Sequence, residues 1–94
     1  MSAKLHPRSL DAIAARLRAA RAAFGLSQLE FSRRAGIAGN TYNQYEQAKS
    51  LPRLDWANHI CDTYGVTLDW IYRGDISGLP VHIANLLASR KTLE

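Results

Sequence analysis

Ninety-four residues suit one domain with a modest core, and no apolar run reaches the 18 residues that a membrane-spanning helix needs. The hydrophobic fraction of 47% is that of a globular chain, and the charged fraction of 21% is too low for a disordered one. The net charge of +4 is unevenly placed: residues 1–53 hold nine Lys/Arg against three acids, and residues 54–94 hold three against five, so the first half is the one suited to meet a polyanion.

Helices are expected throughout, since no window alternates β-branched residues as a strand would. Ser9 suits an N-cap, and Leu10, Ile13, Leu17, Ala20 and Phe24 recur at helical spacing up to the stop at Gly25. Ser27 followed by Glu30 reads as a capping box that opens a second helix, ending near Ala35 and Gly36. A third helix is expected over about 39–47. Pro52 marks the next start, with Leu54, Ala57, Ile60, Cys61 and Tyr64 as the stripe of a fourth helix closed by Gly65. A short fifth helix covers about 68–73 and stops at Gly74. Pro80 suits the first turn of a sixth, in which Leu79, Ile83, Leu86 and Leu87 share a face.

Helices two and three carry the functional signal. Two short helices joined by a tight turn need apolar residues where they face each other and a glycine where the chain leaves the first. Counted from Gln28, the apolar residues Phe31, Ala35, Ile37, Tyr42 and Tyr45 occupy positions 4, 8, 10, 15 and 18, and Gly36 occupies position 9. The remaining residues of the third helix are Gly39, Asn40, Thr41, Asn43, Gln44 and Gln47, an uncharged face rich in amides. Asn and Gln pair bidentately with adenine and also reach phosphates.

With these residues in place the chain resembles the lambda-repressor-like, Cro-type helix-turn-helix proteins, also called the XRE family. The resemblance rests on RLRAAR at 16–21, GLSQ at 25–28, AGI at 35–37, TYNQYE at 41–46, LP at 51–52 and YGVTLDWIYRG at 64–74. It implies a compact, all-α, five-helix DNA-binding domain over 10–75, with an N-terminal arm over 1–9 and a tail over 76–94 that forms a short sixth helix. It also implies sequence-specific binding to duplex DNA as a transcriptional regulator, repression being the expected output, and a homodimer on a palindromic operator. By the same resemblance Gln28 touches a phosphate and braces the recognition helix. Asn40, Thr41 and Gln44 reach bases or nearby phosphates, and Gly39 permits close backbone approach. Asn43 and Gln47 meet the DNA backbone, and Lys49 and Arg53 meet phosphates. Arg21 and Glu46 form a structural ion pair between the first and third helices. Ala38 stands where Ser or Thr usually caps the third helix, and Ala48 replaces the usual glycine after it.

The other chemistry-bearing residues make no site. His6, His59 and His82 are far apart with a lone Cys61, so neither a zinc set nor an internal disulfide is expected, and a single cysteine suits the cytoplasm. No nucleophile–base pair or phosphate loop appears, so neither an enzyme nor a cofactor is expected. The first residues lack the apolar core of a signal peptide. The alternative function is an antitoxin-type protein that grips a toxin or other protein partner and binds DNA secondarily, with its partner surface in the tail. The apolar face of the sixth helix, lying beyond a domain that closes near Gly74, is the expected dimer interface.

Overall fold

The computed structural model describes residues 6–92 and side chains as far as 89. Residues 1–5 of the expected arm and 93–94 of the tail lie outside this range. The described chain forms six helices: α1 (Leu10–Ala23), α2 (Gln28–Arg34), α3 (Gly39–Glu46), α4 (Leu54–Tyr64), α5 (Leu68–Arg73) and α6 (Val81–Thr92). No helix among the described residues is long and apolar enough to cross a membrane.

Local chemistry sets most boundaries. The Ser9 hydroxyl accepts from the Ala12 N–H at 3.1 Å and starts α1. Ser27 and Glu30 form both bonds of the capping box at α2. The Thr67 hydroxyl caps α5 through the Trp70 N–H. Pro80 sits one place earlier than its residue type suggests. It precedes α6, and its carbonyl accepts from Ile83 and Ala84.

Helix α1 is the spine, packed against α3, α5 and α6, while α2 packs on α3 and α4 on α5. Its buried face is Ile13, Ala14, Leu17 and Ala20. Leu10 and Leu54, expected on inward stripes, are instead exposed at the starts of their helices. Phe31 lies at the centre, stacked on Tyr64 at 4.0 Å between ring centroids and tilted against Tyr42. The Tyr64 hydroxyl donates to the Phe31 carbonyl at 2.7 Å, and His59 Nδ1 lies 3.0 Å from the Ala35 carbonyl, so α4 satisfies the end of α2.

The sixth helix departs from expectation. Leu79 and Ile83 belong to the same core cluster as Leu17, Phe31 and Ile60, and Leu87 packs on its margin. The face that looked left over from the sequence is mostly spent on the chain's own domain. The reason is that α1 has more than one apolar flank to cover, and α5 is too short to cover what α3 leaves open.

Candidate nucleic-acid interface

The five apolar slots of the helix-turn-helix, Phe31, Ala35, Ile37, Tyr42 and Tyr45, are all buried, as the positional argument required. Gly36 supplies the turn: at φ +76° its N–H bonds to the Arg33 carbonyl, and the Ile37 N–H bonds to the Ser32 carbonyl. These bonds close the last turn of α2 and send the chain into α3.

Glu46, at the end of α3, is only 3% exposed and is the hub that fixes this helix. Arg21 Nε donates to its Oε2 at 2.8 Å, and Arg21 Nη2 to its Oε1 at 3.1 Å. The Tyr42 hydroxyl donates to Oε2 at 2.5 Å, and Gln28 Nε2 to Oε1 at 2.9 Å. Burial by itself pushes the Glu46 carboxyl up, but the bonds from Arg21, Tyr42 and Gln28, with the charge of Arg21, outweigh it and hold the carboxyl below its ordinary range. The bond to Glu46 raises Arg21 against the opposing effect of burial, and burial, then the same carboxylate, raises the Tyr42 phenol. The carboxylate is thus ionised, and its charge is spent inside the fold rather than presented to a polyanion. Gln28 is on this hub, which gives the bracing role a direct geometry.

Two arginines of α1 hold other helix ends in a way that their sequence positions do not reveal. Arg18 Nη1 donates to the Glu46 carbonyl at 2.6 Å, at the C-terminus of α3. Arg16 Nη1 donates to the Ile71 carbonyl at 2.6 Å near the end of α5, and its Nη2 donates to the Pro7 carbonyl. Partial burial lowers the Arg16 pKa from its ordinary value. The only sequence signal for these contacts is that Arg18 and Arg21 lie three residues apart, hence on neighbouring positions of one helix face.

The outer side of α3 is exposed at Gly39, Asn40, Gln44 and Gln47 and half-buried at Thr41 and Asn43. Its amides differ in state. Asn40 Oδ1 accepts from the Thr41 N–H at 2.9 Å, and Gln47 Nε2 donates to Asn43 Oδ1 at 3.3 Å. The Gln44 amide has no such bond among the described residues. Beside α3, Thr41, Gln44, Ser50, Leu51 and Arg53 line an open groove of about 370 Å³. Ser50 and Leu51 had given no functional signal, because they fall in a loop with no periodicity. The Lys49 side chain is exposed, whereas Arg53 pairs with Asp55 at 3.3 Å with both side chains largely in solvent. That exposed pair is worth little and yields easily to another anion.

A tight glycine turn, a second helix with an uncharged polar outer face and cations at its far end define a DNA-binding helix-turn-helix unit. Residues 12–70 match the model of the helix-turn-helix domain, and the chain belongs to that family. The match runs from α1 to Trp70 in α5 and leaves α6 beyond it. Neither a curated protein nor a solved structure matches the chain.

Proposed function

We propose that this helix-turn-helix protein is a sequence-specific transcriptional regulator of the lambda-repressor-like, Cro-type (XRE) branch, a repressor that inserts α3 into the major groove of a palindromic operator. The observation that carries this reading is the outer face of α3, Gly39 to Gln47, polar and uncharged, on a helix whose one acid is neutralised internally by Arg21. Such a face can enter an anionic groove without repulsion and carries the donor–acceptor pairs that read base edges. Gln28, Lys49 and Arg53 act as the phosphate contacts that set register. Thr41 lines the same groove as Gln44, and Asn43 with Gln47 borders the DNA backbone. Cytoplasmic residence follows from this function.

One eight-residue helix offers few base contacts, so we infer a homodimer whose two reading helices lie one helical turn apart, roughly 34 Å. Exposed Ile76 and Val81, 65% and 75% accessible, are suited to be part of the contact. The same two residues favour the second reading, an antitoxin-type protein whose toxin partner covers them.

Selection of bound duplexes from a random pool tests the proposal. A symmetric consensus is expected, with log affinity falling against log salt at a slope of about −2 to −4 for a few phosphate contacts per subunit. Lys49→Ala should weaken all duplexes alike and make the slope shallower by about 1. A slope near zero, or equal affinity for unrelated single strands, overturns groove binding.

A further inference from the structure

The amides of α3 are not equivalent, and the difference begins with a missing cap. An N-cap Ser or Thr would accept a bond from one of the first N–H groups of the helix. Ala38 occupies that place and makes no side-chain cap bond. The Thr41 N–H, in the first turn, is taken instead by Asn40 Oδ1 at 2.9 Å. An amide reads adenine by accepting from N6 and donating to N7 at once. With Oδ1 turned back on its own helix, Asn40 offers the DNA only N–H donors. Asn43 Oδ1 is likewise held by Gln47, which leaves Gln44, exposed and lining the groove beside α3, as the amide with both ends uncommitted among the described residues.

We propose that Asn40 is a positioning residue rather than a base reader: its oxygen caps α3 in place of Ala38, its N–H donors hold a phosphate oxygen, and Gln44 supplies the amide pair that reads adenine. The DNA half of this assignment rests on the groove-binding function proposed above, whereas the capping half does not. Ala38→Ser restores an ordinary cap and so separates the two. In the parent, Asn40→Ala should lower the melting temperature by roughly 4–8 °C, the scale of one lost cap in a domain of this size. In the Ala38→Ser background the same change should cost less than half as much. Equal falls in both backgrounds, or no fall in the parent, overturn the cap. Asn40→Asp keeps an acceptor near the helix N-terminus and should hold the melting temperature while weakening every duplex.

On selected duplexes, Asn40→Ala should lose roughly 2- to 10-fold in affinity at every sequence, with base preferences unchanged. Gln44→Ala should flatten the preference for adenine at one position. A preference flattened by Asn40→Ala, or none flattened by Gln44→Ala, overturns the division of labour. If the parent itself enriches no sequence, the function proposed above fails and the phosphate role falls with it, and the melting cycle still decides the cap.

Discussion

At the scale of single residues, the most consequential group is the Glu46 carboxylate, which is buried with three side-chain donors around it. Burying a charge is tolerable only when it is paired and hydrogen-bonded, and removing one partner leaves the full desolvation cost behind. Arg21→Ala should therefore destabilise the fold by about 3–5 kcal/mol. Replacing both Arg21 and Glu46 with apolar residues of similar volume should cost less. A thermal melt of Arg21→Ala equal to that of the parent would sink the assignment. The same group sets an acid limit. Its carboxyl is depressed in the folded state, so its contribution is fully present above the unfolded value, about 4.3, and is lost as the pH falls through the lower folded value. Stability should be insensitive to this group from pH 8 to 6 and should decline below about pH 4, with Glu46→Gln removing that decline from a denaturant titration. The Arg21–Glu46 pair was legible in the sequence through the family resemblance alone. The roles of Tyr42 and Gln28 in the same hub were only partly legible. Tyr42 occupied an apolar slot, which conceals its hydroxyl, and Gln28 looked like a phosphate ligand and brace with no partner named.

At the scale of the elements, the beginnings and ends of helices were the most legible part of the chain, because caps are local chemistry. Ser27 with Glu30, the stop at Gly36 and the absent cap at Ala38 all follow from residues a few places apart. The long-range caps were invisible for the opposite reason: Arg18 reaches Glu46 and Arg16 reaches Ile71 across 28 and 55 positions, and no local pattern encodes that. The end of α3 shows how context overrides residue preference. Ala48 takes the left-handed conformation at φ +59°, while its N–H bonds to the Tyr45 carbonyl and that of Lys49 to the Gln44 carbonyl. This closing motif normally carries glycine, because a Cβ in that conformation costs about 1–2 kcal/mol. Glycine would relieve that strain but give back part of the gain through its greater freedom when unfolded. Ala48→Gly should accordingly stabilise the protein by about 0.5–1 kcal/mol, with a melting temperature several degrees higher. A fall in stability would mean that the Ala48 methyl contributes packing that outweighs the strain. The contrasting position is Gly74, at φ +77°, where a Cβ would lie 2.7 Å from Arg16 Nη2. There Gly74→Ala should both strain the backbone and push the guanidinium off the Ile71 carbonyl, so the two substitutions have opposite signs.

At the scale of the whole molecule, the destination of the tail could not be read from the sequence, because an apolar helix face does not say which chain it will cover. The structure spends Leu79 and Ile83 on its own core, 8% and 5% exposed, and carbon atoms of Ile83 lie 3.5–3.6 Å from where a Cβ on Gly65 would be. Each such side chain stabilises by roughly 1.5–3 kcal/mol when buried, so deleting residues 79–94 removes about 3–6 kcal/mol. That is a large share of the 5–15 kcal/mol typical of a folded domain. The truncated chain should lose its cooperative melt or melt at least roughly 12 °C lower. Truncation is thus a poor test of assembly, since folding and association would fail together. Val81 separates them, because it is 75% exposed on the same helix. Val81→Glu leaves the inward face untouched and places a charge on the flank proposed for the dimer contact. The expected outcome is an unchanged melt at low concentration, a halved mass by light scattering, and weaker binding to a palindrome with binding to a half-site retained. A dimer that survives Val81→Glu would move the interface elsewhere on the surface. A truncated chain that melts like the parent would return the tail to the role that its sequence first suggested, a face kept free for a second subunit.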